Sequence, residues 1–161
     1  MTWRTATLAA LAFLASAWVR PVMAQDAQSR LWEASMAGDT AAIRKAVADG
    51  AKVDSLDVRR SRNGRRPLNW AALNNHPAAV DLLLALGAPL EAENLTGFTA
   101  LNHAAEAGAL EATQALLAAG ADLEHANRDG FRPVDTARER GYSSVVALLE
   151  AAERGERPKK Q

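Results

Sequence analysis

Residues 96–122 read TGFTALNHAAEAGALEATQALLAAGAD, and this stretch decides the fold. A turn signal at Gly97 precedes a short alanine-rich helix, which breaks at Gly108 and is followed by a second helix that carries Leu116–Leu117. Gly120 follows the second helix, where a left-handed C-cap favours glycine. The stretch therefore predicts a helix-turn-helix unit that the chain enters through a turn.

The same pattern recurs with a period of about 33 residues, and three units align without gaps. Proline at a first helical position loses no hydrogen bond, because that N–H has no partner within the helix. A fixed period of this length predicts stacked repeats that share one core. The equivalent positions are Gly64, Gly97 and Gly130 in the turn, Pro67, Ala100 and Pro133 at the helix start, Leu68, Leu101 and Val134 next, Ala71, Ala104 and Ala137 in the first helix, and Leu83, Leu116 and Leu149 in the second helix.

A more divergent copy precedes these three units by 37 residues. The connection from Gly50 to Gly64 is four residues longer than the one from Gly87 to Gly97, which indicates an insertion around residues 54–63. We predict a repeat domain over residues 25–152 and a disordered tail at residues 153–161. The four predicted repeats span about residues 29–54, 62–94, 95–127 and 128–152.

These motifs resemble the ankyrin-repeat family, whose pattern runs roughly D-x-x-G-x-T-P-L-H-x-A-A, then a glycine turn, then V-x-x-L-L-x-x-G-A-D. The resemblance implies an all-α protein, an ankyrin-repeat solenoid of about four helix-turn-helix repeats joined by β-turn fingers. Arg66 and Arg132 replace the family's threonine, and Asn69, Asn102 and Asp135 replace its histidine. Asparagine and aspartate still supply short polar contacts, so we expect the fold to survive although the usual threonine-histidine bonding is lost.

Residues 1–24 have the features of a cleavable signal peptide. Arg4 precedes an apolar stretch at residues 6–19, and the segment ends in Val-Met-Ala, which suits a signal peptidase. The apolar stretch has roughly 14 residues, fewer than the ~20 that a membrane-spanning helix needs, and Arg20-Pro21 interrupts it. We predict cleavage after Ala24 and a periplasmic or secreted protein. The alternative is an uncleaved membrane anchor.

Composition excludes several classes of function. The numbers of basic residues (Lys plus Arg) and acidic residues (Asp plus Glu) are equal, at 19 each. Removal of the signal peptide leaves 17 basic and 19 acidic residues, and this slightly negative net charge disfavours binding to nucleic acid. The chain has no cysteine, hence no disulfide or thiolate site. His76, His103 and His125 lack the spacing of a helical metal pair, and no catalytic motif occurs. We predict a non-enzymatic protein without a metal or cofactor.

The resemblance implies that partners bind on the concave side, which is made of turns and first helices. Phe98 and Phe131 are candidate anchors because aromatic residues often dominate binding energy, and the alternative is packing against a neighbouring finger. We expect Trp70 to stack against the next repeat. Carried over by position, the exposed turn residues are Arg62, Arg65, Leu95, Phe98, Arg128 and Phe131, with Asn74, Glu106, Glu139 and Arg140 on the adjoining helix surface.

Five arginines crowd the lengthened finger: Arg59, Arg60, Arg62, Arg65 and Arg66. A guanidinium cluster suits a carboxylate-rich protein or a phosphate. The alternative is a solvated loop that Asp54 and Asp57 partly neutralise.

From these features we expect a monomeric, periplasmic protein-protein interaction module that binds one partner protein on its concave surface. Two roles that exported ankyrin proteins have in bacteria stay open, an immunity protein or an accessory to a periplasmic enzyme such as a catalase. A second hypothesis is a peripheral protein that binds an anionic membrane surface through its arginine-rich finger.

Overall fold

The computed structural model describes residues 26–60 and 62–159. The signal peptide predicted for residues 1–24 lies outside them. This part of the chain folds into eight short helices, and none of them is long and apolar enough to cross a membrane. The helices are α1 at 26–37, α2 at Thr40–Ala48, α3 at Pro67–Leu73, α4 at Pro77–Ala85, α5 at Ala100–Ala107, α6 at Leu110–Ala118, α7 at Pro133–Glu139 and α8 at Ser143–Glu153.

The helices form four pairs, and the pairs keep the sequence register. The first helices α3, α5 and α7 begin at Pro67, Ala100 and Pro133, each 33 residues after the last. Their partners α4, α6 and α8 begin with the same spacing, while α2 begins 37 residues before α4. The predicted all-α repeat solenoid is confirmed.

A short polar residue in the first turn closes the start of α3, α5 and α7. Its side-chain oxygen accepts a hydrogen bond from the backbone N–H of the residue before the helix, so a donor without a partner in the helix is satisfied. The substitutions for the family's histidine thus preserve a helix cap. The pairs are Asn69 with Arg66 at 2.8 Å, Asn102 with Thr99 at 3.0 Å and Asp135 with Arg132 at 3.2 Å.

Small side chains let neighbouring first helices approach closely. Ala71, Ala72, Ala104, Ala105 and Ala137 are fully buried, and the leucines of the second helices close the core on the other side. Trp70 is 8% exposed, and its predicted stacking against the next repeat stays a prediction.

The connections between pairs form three fingers: finger 1 at residues 49–66, finger 2 at 86–99 and finger 3 at 119–132. Finger 1 is four residues longer than the others and contains an isolated antiparallel bridge between Asp57 and Arg65. Backbone hydrogen bonds join neighbouring fingers, from Leu95 N to Asn63 O at 2.8 Å and from Arg128 N to Thr96 O at 3.3 Å. The fingers therefore stack side by side along one edge of the solenoid.

After α8 the chain turns back toward the third repeat. Arg157 donates a hydrogen bond to Ala121 O at 3.0 Å, which holds this part of the tail beside finger 3. The disorder predicted for residues 153–161 stays a prediction.

The turn inside each repeat packs against the turn of the next repeat. Gly108 has φ +68°, and a Cβ atom there would lie 2.6 Å from Cδ1 of the Tyr142 ring. In the repeat before it, Asn75 Oδ1 accepts a hydrogen bond from Ala112 N at 2.9 Å. These contacts fix the orientation of each helix pair relative to the next one.

Gly108→Ala is expected to lower the free energy of unfolding by about 2–4 kcal/mol, because a left-handed alanine costs about 1–2 kcal/mol and the new methyl group collides with Tyr142. Gly141→Ala is the matched control, since Gly141 occupies the equivalent turn of the fourth repeat with φ +79° and a Cβ atom added there would meet nothing within 4 Å. Urea unfolding of both variants measures the difference. Equal losses would show that the contact between Gly108 and Tyr142 contributes nothing.

Candidate interaction surface

A residue at the base of each finger faces a residue of the following first helix. In the second repeat the Arg65 guanidinium lies over the Trp70 ring, 4.7 Å from its centroid. In the third repeat the ring centroids of Phe98 and His103 are 5.1 Å apart. The fourth repeat has Phe131 at the finger position and Thr136, which carries no ring, at the helix position. Repeats 2 and 3 therefore share one contact that the fourth repeat cannot make.

This contact corrects one prediction about the two phenylalanines. The expectation that Phe98 is an exposed fingertip is wrong, because its ring packs on His103 and the residue is only partly exposed. Phe131 is 41% exposed, as its position predicts. The residue five positions after each phenylalanine, His103 or Thr136, therefore determines whether its ring is covered.

His103 is buried, and both of its ring nitrogens are hydrogen-bonded. Asn94 Nδ2 donates to Nε2 at 3.2 Å, so Nδ1 carries the proton and donates to Glu106 Oε2 at 3.2 Å. Burial lowers the pKa of His103 below its ordinary value. The hydrogen bond from His103 likewise holds the pKa of Glu106 below its usual range. His103 is thus held in its neutral form.

Asn94 ties this histidine to finger 2. Its Oδ1 accepts hydrogen bonds from Thr96 N, Thr96 Oγ1 and Phe98 N, each at 2.9 Å. Asn127 holds the turn of finger 3 in an equivalent way, because its Oδ1 accepts a hydrogen bond from Asp129 N at 2.9 Å. Neither asparagine was predicted from the sequence, although their position three residues before Gly97 and Gly130 is the signal that identifies them.

The fingertips present apolar and cationic side chains in one row. Arg62, Leu95 and Arg128 occupy equivalent positions of successive fingers, and Leu95 is 44% exposed. Within residues 26–60 and 62–159, Arg62 and Arg128 are exposed and form no ion pair. We call Arg62, Leu95 and Arg128 at the tips, together with Phe131 at the base of finger 3, the fingertip row. Its exposed apolar groups beside uncompensated charge are typical of an interface.

Three of the five arginines of finger 1 are neutralised within the molecule. Arg59 pairs with buried Asp57 at 3.0 Å, and its guanidinium lies 4.4 Å from the Trp32 ring centroid. The other two ion pairs are Arg60 with Glu33 at 3.5 Å and Arg66 with Asp54 at 2.8 Å. Arg66 also donates to Glu93 O at 3.0 Å, so it links finger 1 to finger 2. The predicted cluster thus separates into structural arginines and two others, Arg62 and Arg65.

The remaining predicted helix residues divide in the same way. Arg140 and Glu106 lie 3.5 Å apart and form an ion pair between the third and fourth repeats. Asn74 donates to Trp70 O at 2.8 Å, and Glu139 is exposed. The structure therefore brings Glu106 and Arg140 together but leaves Glu139 facing solvent.

The other two histidines bind backbone carbonyls of a neighbouring repeat or finger. His76 Nε2 lies 3.0 Å from Met36 O, and His125 Nε2 lies 3.1 Å from Gly97 O. No group of acidic or histidine side chains in the described part of the chain could hold a metal ion. The histidines therefore act as links between structural units.

Comparison with known proteins adds two similarities. The family model for ankyrin repeats in three copies matches residues 31–127, which run from α1 into finger 3. A curated ankyrin repeat domain-containing protein of Stachybotrys chartarum is 32% identical over 82 residues, or 51% of this chain. The aligned segment covers 4% of that relative's length.

The buried His103 predicts that acid destabilises the fold. Its pKa is lower in the folded than in the unfolded state, so stability is fully present above the unfolded value of 6.5 and falls as pH decreases below it. The loss is at most about 1.4 kcal/mol for each pH unit. Urea unfolding at pH 7.5 and 5.5 measures it, with His103→Gln as the variant in which the fall is smaller. The same fall in both proteins would contradict this role of His103.

Proposed function

The chain belongs to the ankyrin-repeat family, and on this premise we propose that it binds a partner protein through the fingertip row and the adjoining concave surface. Ankyrin repeats are generally protein-protein interaction modules, and the family is typically non-enzymatic. The observation that carries the proposal is the exposure of Leu95 and Phe131 beside the unpaired Arg62 and Arg128. A partner that covers this row would remove apolar surface from water and supply counter-charges together.

The rigidity of the fingers favours binding at this row. Asn94 and Asn127 fix the turns of fingers 2 and 3, and backbone hydrogen bonds connect the fingers. A preorganised surface loses little conformational entropy on binding, so more of the contact energy remains as affinity. The row is therefore suited to hold a partner without rearrangement.

A protein partner explains the charges better than an anionic membrane does. Membrane binding requires several free cations on one surface, whereas Arg59, Arg60 and Arg66 already have acidic partners. The few charges that stay free lie beside apolar side chains, which suits a protein surface of mixed character. The membrane hypothesis predicts salt-sensitive binding to anionic vesicles, and the protein hypothesis does not.

We also propose that the protein works in the periplasm as a monomer. The support is the signal-peptide pattern of residues 1–24, with its short apolar stretch and its Val-Met-Ala ending. An immunity protein and an accessory to a periplasmic enzyme such as a catalase both fit this location. The identity of the captured partner, a secreted effector or a peroxide-handling enzyme, distinguishes the two roles.

Leu95→Ser combined with Phe131→Ser is expected to weaken partner binding at least about tenfold, because both apolar anchors are lost. Affinity capture from periplasmic extract, followed by titration of the captured protein, measures the effect. Ala78→Ser combined with Ala147→Ser changes exposed positions on the second helices and serves as the control. Unchanged affinity in the fingertip variant would refute binding through this row.

Fusion of residues 1–30 to a phosphatase that is active only after export is expected to give an active reporter, since the segment carries the export pattern. Sequencing of the purified full-length product should then begin at Gln25. Arg4→Glu is the informative variant, because it removes the positive charge that precedes the apolar stretch. An inactive wild-type fusion would contradict export, and an active fusion with Met1 retained would indicate an uncleaved anchor.

A further inference from the structure

Two neighbouring hydrogen-bond donors lie buried without an acceptor at the base of finger 1. Trp70 Nε1 and Arg65 Nε are inaccessible to solvent and have no hydrogen-bond partner. Buried donors without partners are rare in folded proteins, and each one calls for an explanation. The two belong to a single contact, because the Arg65 guanidinium covers the Trp70 ring.

The chain contains a matched pair whose donors are satisfied. Arg59 covers Trp32 in the same manner, with its guanidinium 4.4 Å from the ring centroid. There Trp32 Nε1 donates to Ser55 O at 2.9 Å, and Arg59 forms its ion pair with Asp57. Stacking of arginine on tryptophan therefore does not require unpaired donors. What the pair of Arg65 and Trp70 lacks is an acceptor.

Nothing nearby in the described part of the chain supplies that acceptor. The Arg65 backbone is held by Asp57, with hydrogen bonds of 2.7 and 3.3 Å, but its guanidinium makes no ion pair there. Glu106 is already engaged by His103 and Arg140. The third unpaired buried nitrogen, Arg30 Nε, differs because the other guanidinium nitrogens of that residue bind Asp26 and Asp49. Arg65 thus forms no ion pair in the described part of the chain, and its charge acts on the Glu106 carboxylate only over a longer distance.

We propose that the pair of Arg65 and Trp70 binds a carboxylate side chain of the partner, an aspartate or glutamate next to an apolar residue. The proposal rests on the proposed function and names the partner chemistry that finger 1 recognises. The Arg65 side chain is held by its ring contact and by no hydrogen bond or ion pair in the described part of the chain, so the guanidinium can turn toward an arriving carboxylate and uncover Trp70 Nε1. The carboxylate then accepts from both donors, while Leu95 on the neighbouring finger contacts the apolar residue.

The charge distribution favours one carboxylate over a polyanion. Arg62 is the other arginine of finger 1 without an ion pair, Lys52 is exposed as well, and the remaining arginines of the finger have acidic partners. A planar guanidinium matches the geometry of a carboxylate, and arginine and tryptophan are the residues that most often dominate binding energy. Two free guanidinium groups suit a short acidic segment, whereas a nucleic acid needs many more.

The test is an NMR titration of the full ¹⁵N-labelled chain, with the Trp70 indole N–H signal assigned by Trp70→Phe. The probe is a short blocked peptide that contains Glu-Leu-Glu, and its control contains Gln-Leu-Gln. We expect the Trp70 signal to shift saturably with the glutamate peptide, at least tenfold weaker binding of the glutamine peptide, and a Trp32 signal that stays in place. An unmoved Trp70 signal, or equal binding of both peptides, overturns the proposal. An equal response to inorganic phosphate overturns its assignment to a carboxylate.

Matched variants separate recognition from folding. Arg65→Gln is expected to weaken binding of the glutamate peptide at least tenfold, and Arg44→Gln, which removes an exposed positive charge from α2, is expected to leave it unchanged. Equal effects of the two variants would refute the role of Arg65. If Arg65→Gln fails to fold, the comparison of the glutamate and glutamine peptides on the wild-type chain still tests the proposal.

The captured partner distinguishes this proposal from the proposed function. A partner that loses affinity for the Leu95→Ser and Phe131→Ser variant but keeps it for Arg65→Gln refutes the carboxylate anchor alone. A partner that is insensitive to both changes refutes the proposed surface as well.

Discussion

The whole structure depends on the burial of small apolar faces between repeats, because no helix in the described part of the chain is long enough to be stable alone. Helices of 7–12 residues are marginal in water even with favourable sequences. The fully buried alanines of α3 and α5 let the helices of adjacent repeats pack at short distance. Each repeat is therefore stabilised by its neighbours, and the period of the sequence is the period of these contacts.

This dependence separates the residues that build the stack from those that are free to bind. Alanines, leucines and the polar residues in the first turns are committed to packing or to helix caps, and a change there affects every neighbour. The fingertips lie beyond that packing, and the hydrogen bonds of Asn94 and Asn127 hold their turns. Substitution of Leu95 or Phe131, which are both exposed, is therefore expected to cost little stability. Binding specificity belongs to such positions.

The sequence predicted the helix pairs well, because each helix start and turn depends on residues within a few positions. It predicted exposure less well, because exposure depends on contacts between elements. Phe98 and Phe131 occupy equivalent positions, yet only Phe98 finds a ring at the following helix, on His103. The ion pairs of the finger 1 arginines could not be predicted for the same reason, because the fold of the loop determines which arginine pairs with Asp57, Asp54 or Glu33. The signal peptide and the partner lie beyond what the described residues can test.

The insertion in finger 1 explains why few arginines of this finger lack an acidic partner. The longer loop brings Asp54 and Asp57 onto the same finger as the arginines, and these acids bind Arg66 and Arg59. Because Arg60 also finds Glu33 on α1, the finger has lost most of the free charge that would attract any polyanion. The arginines that remain without an ion pair are Arg62 at the tip and Arg65 on Trp70. Neutralisation within the finger thus weakens the general electrostatic attraction for polyanions, and the proposed recognition of acidic groups depends on the few cations that have no acidic partner.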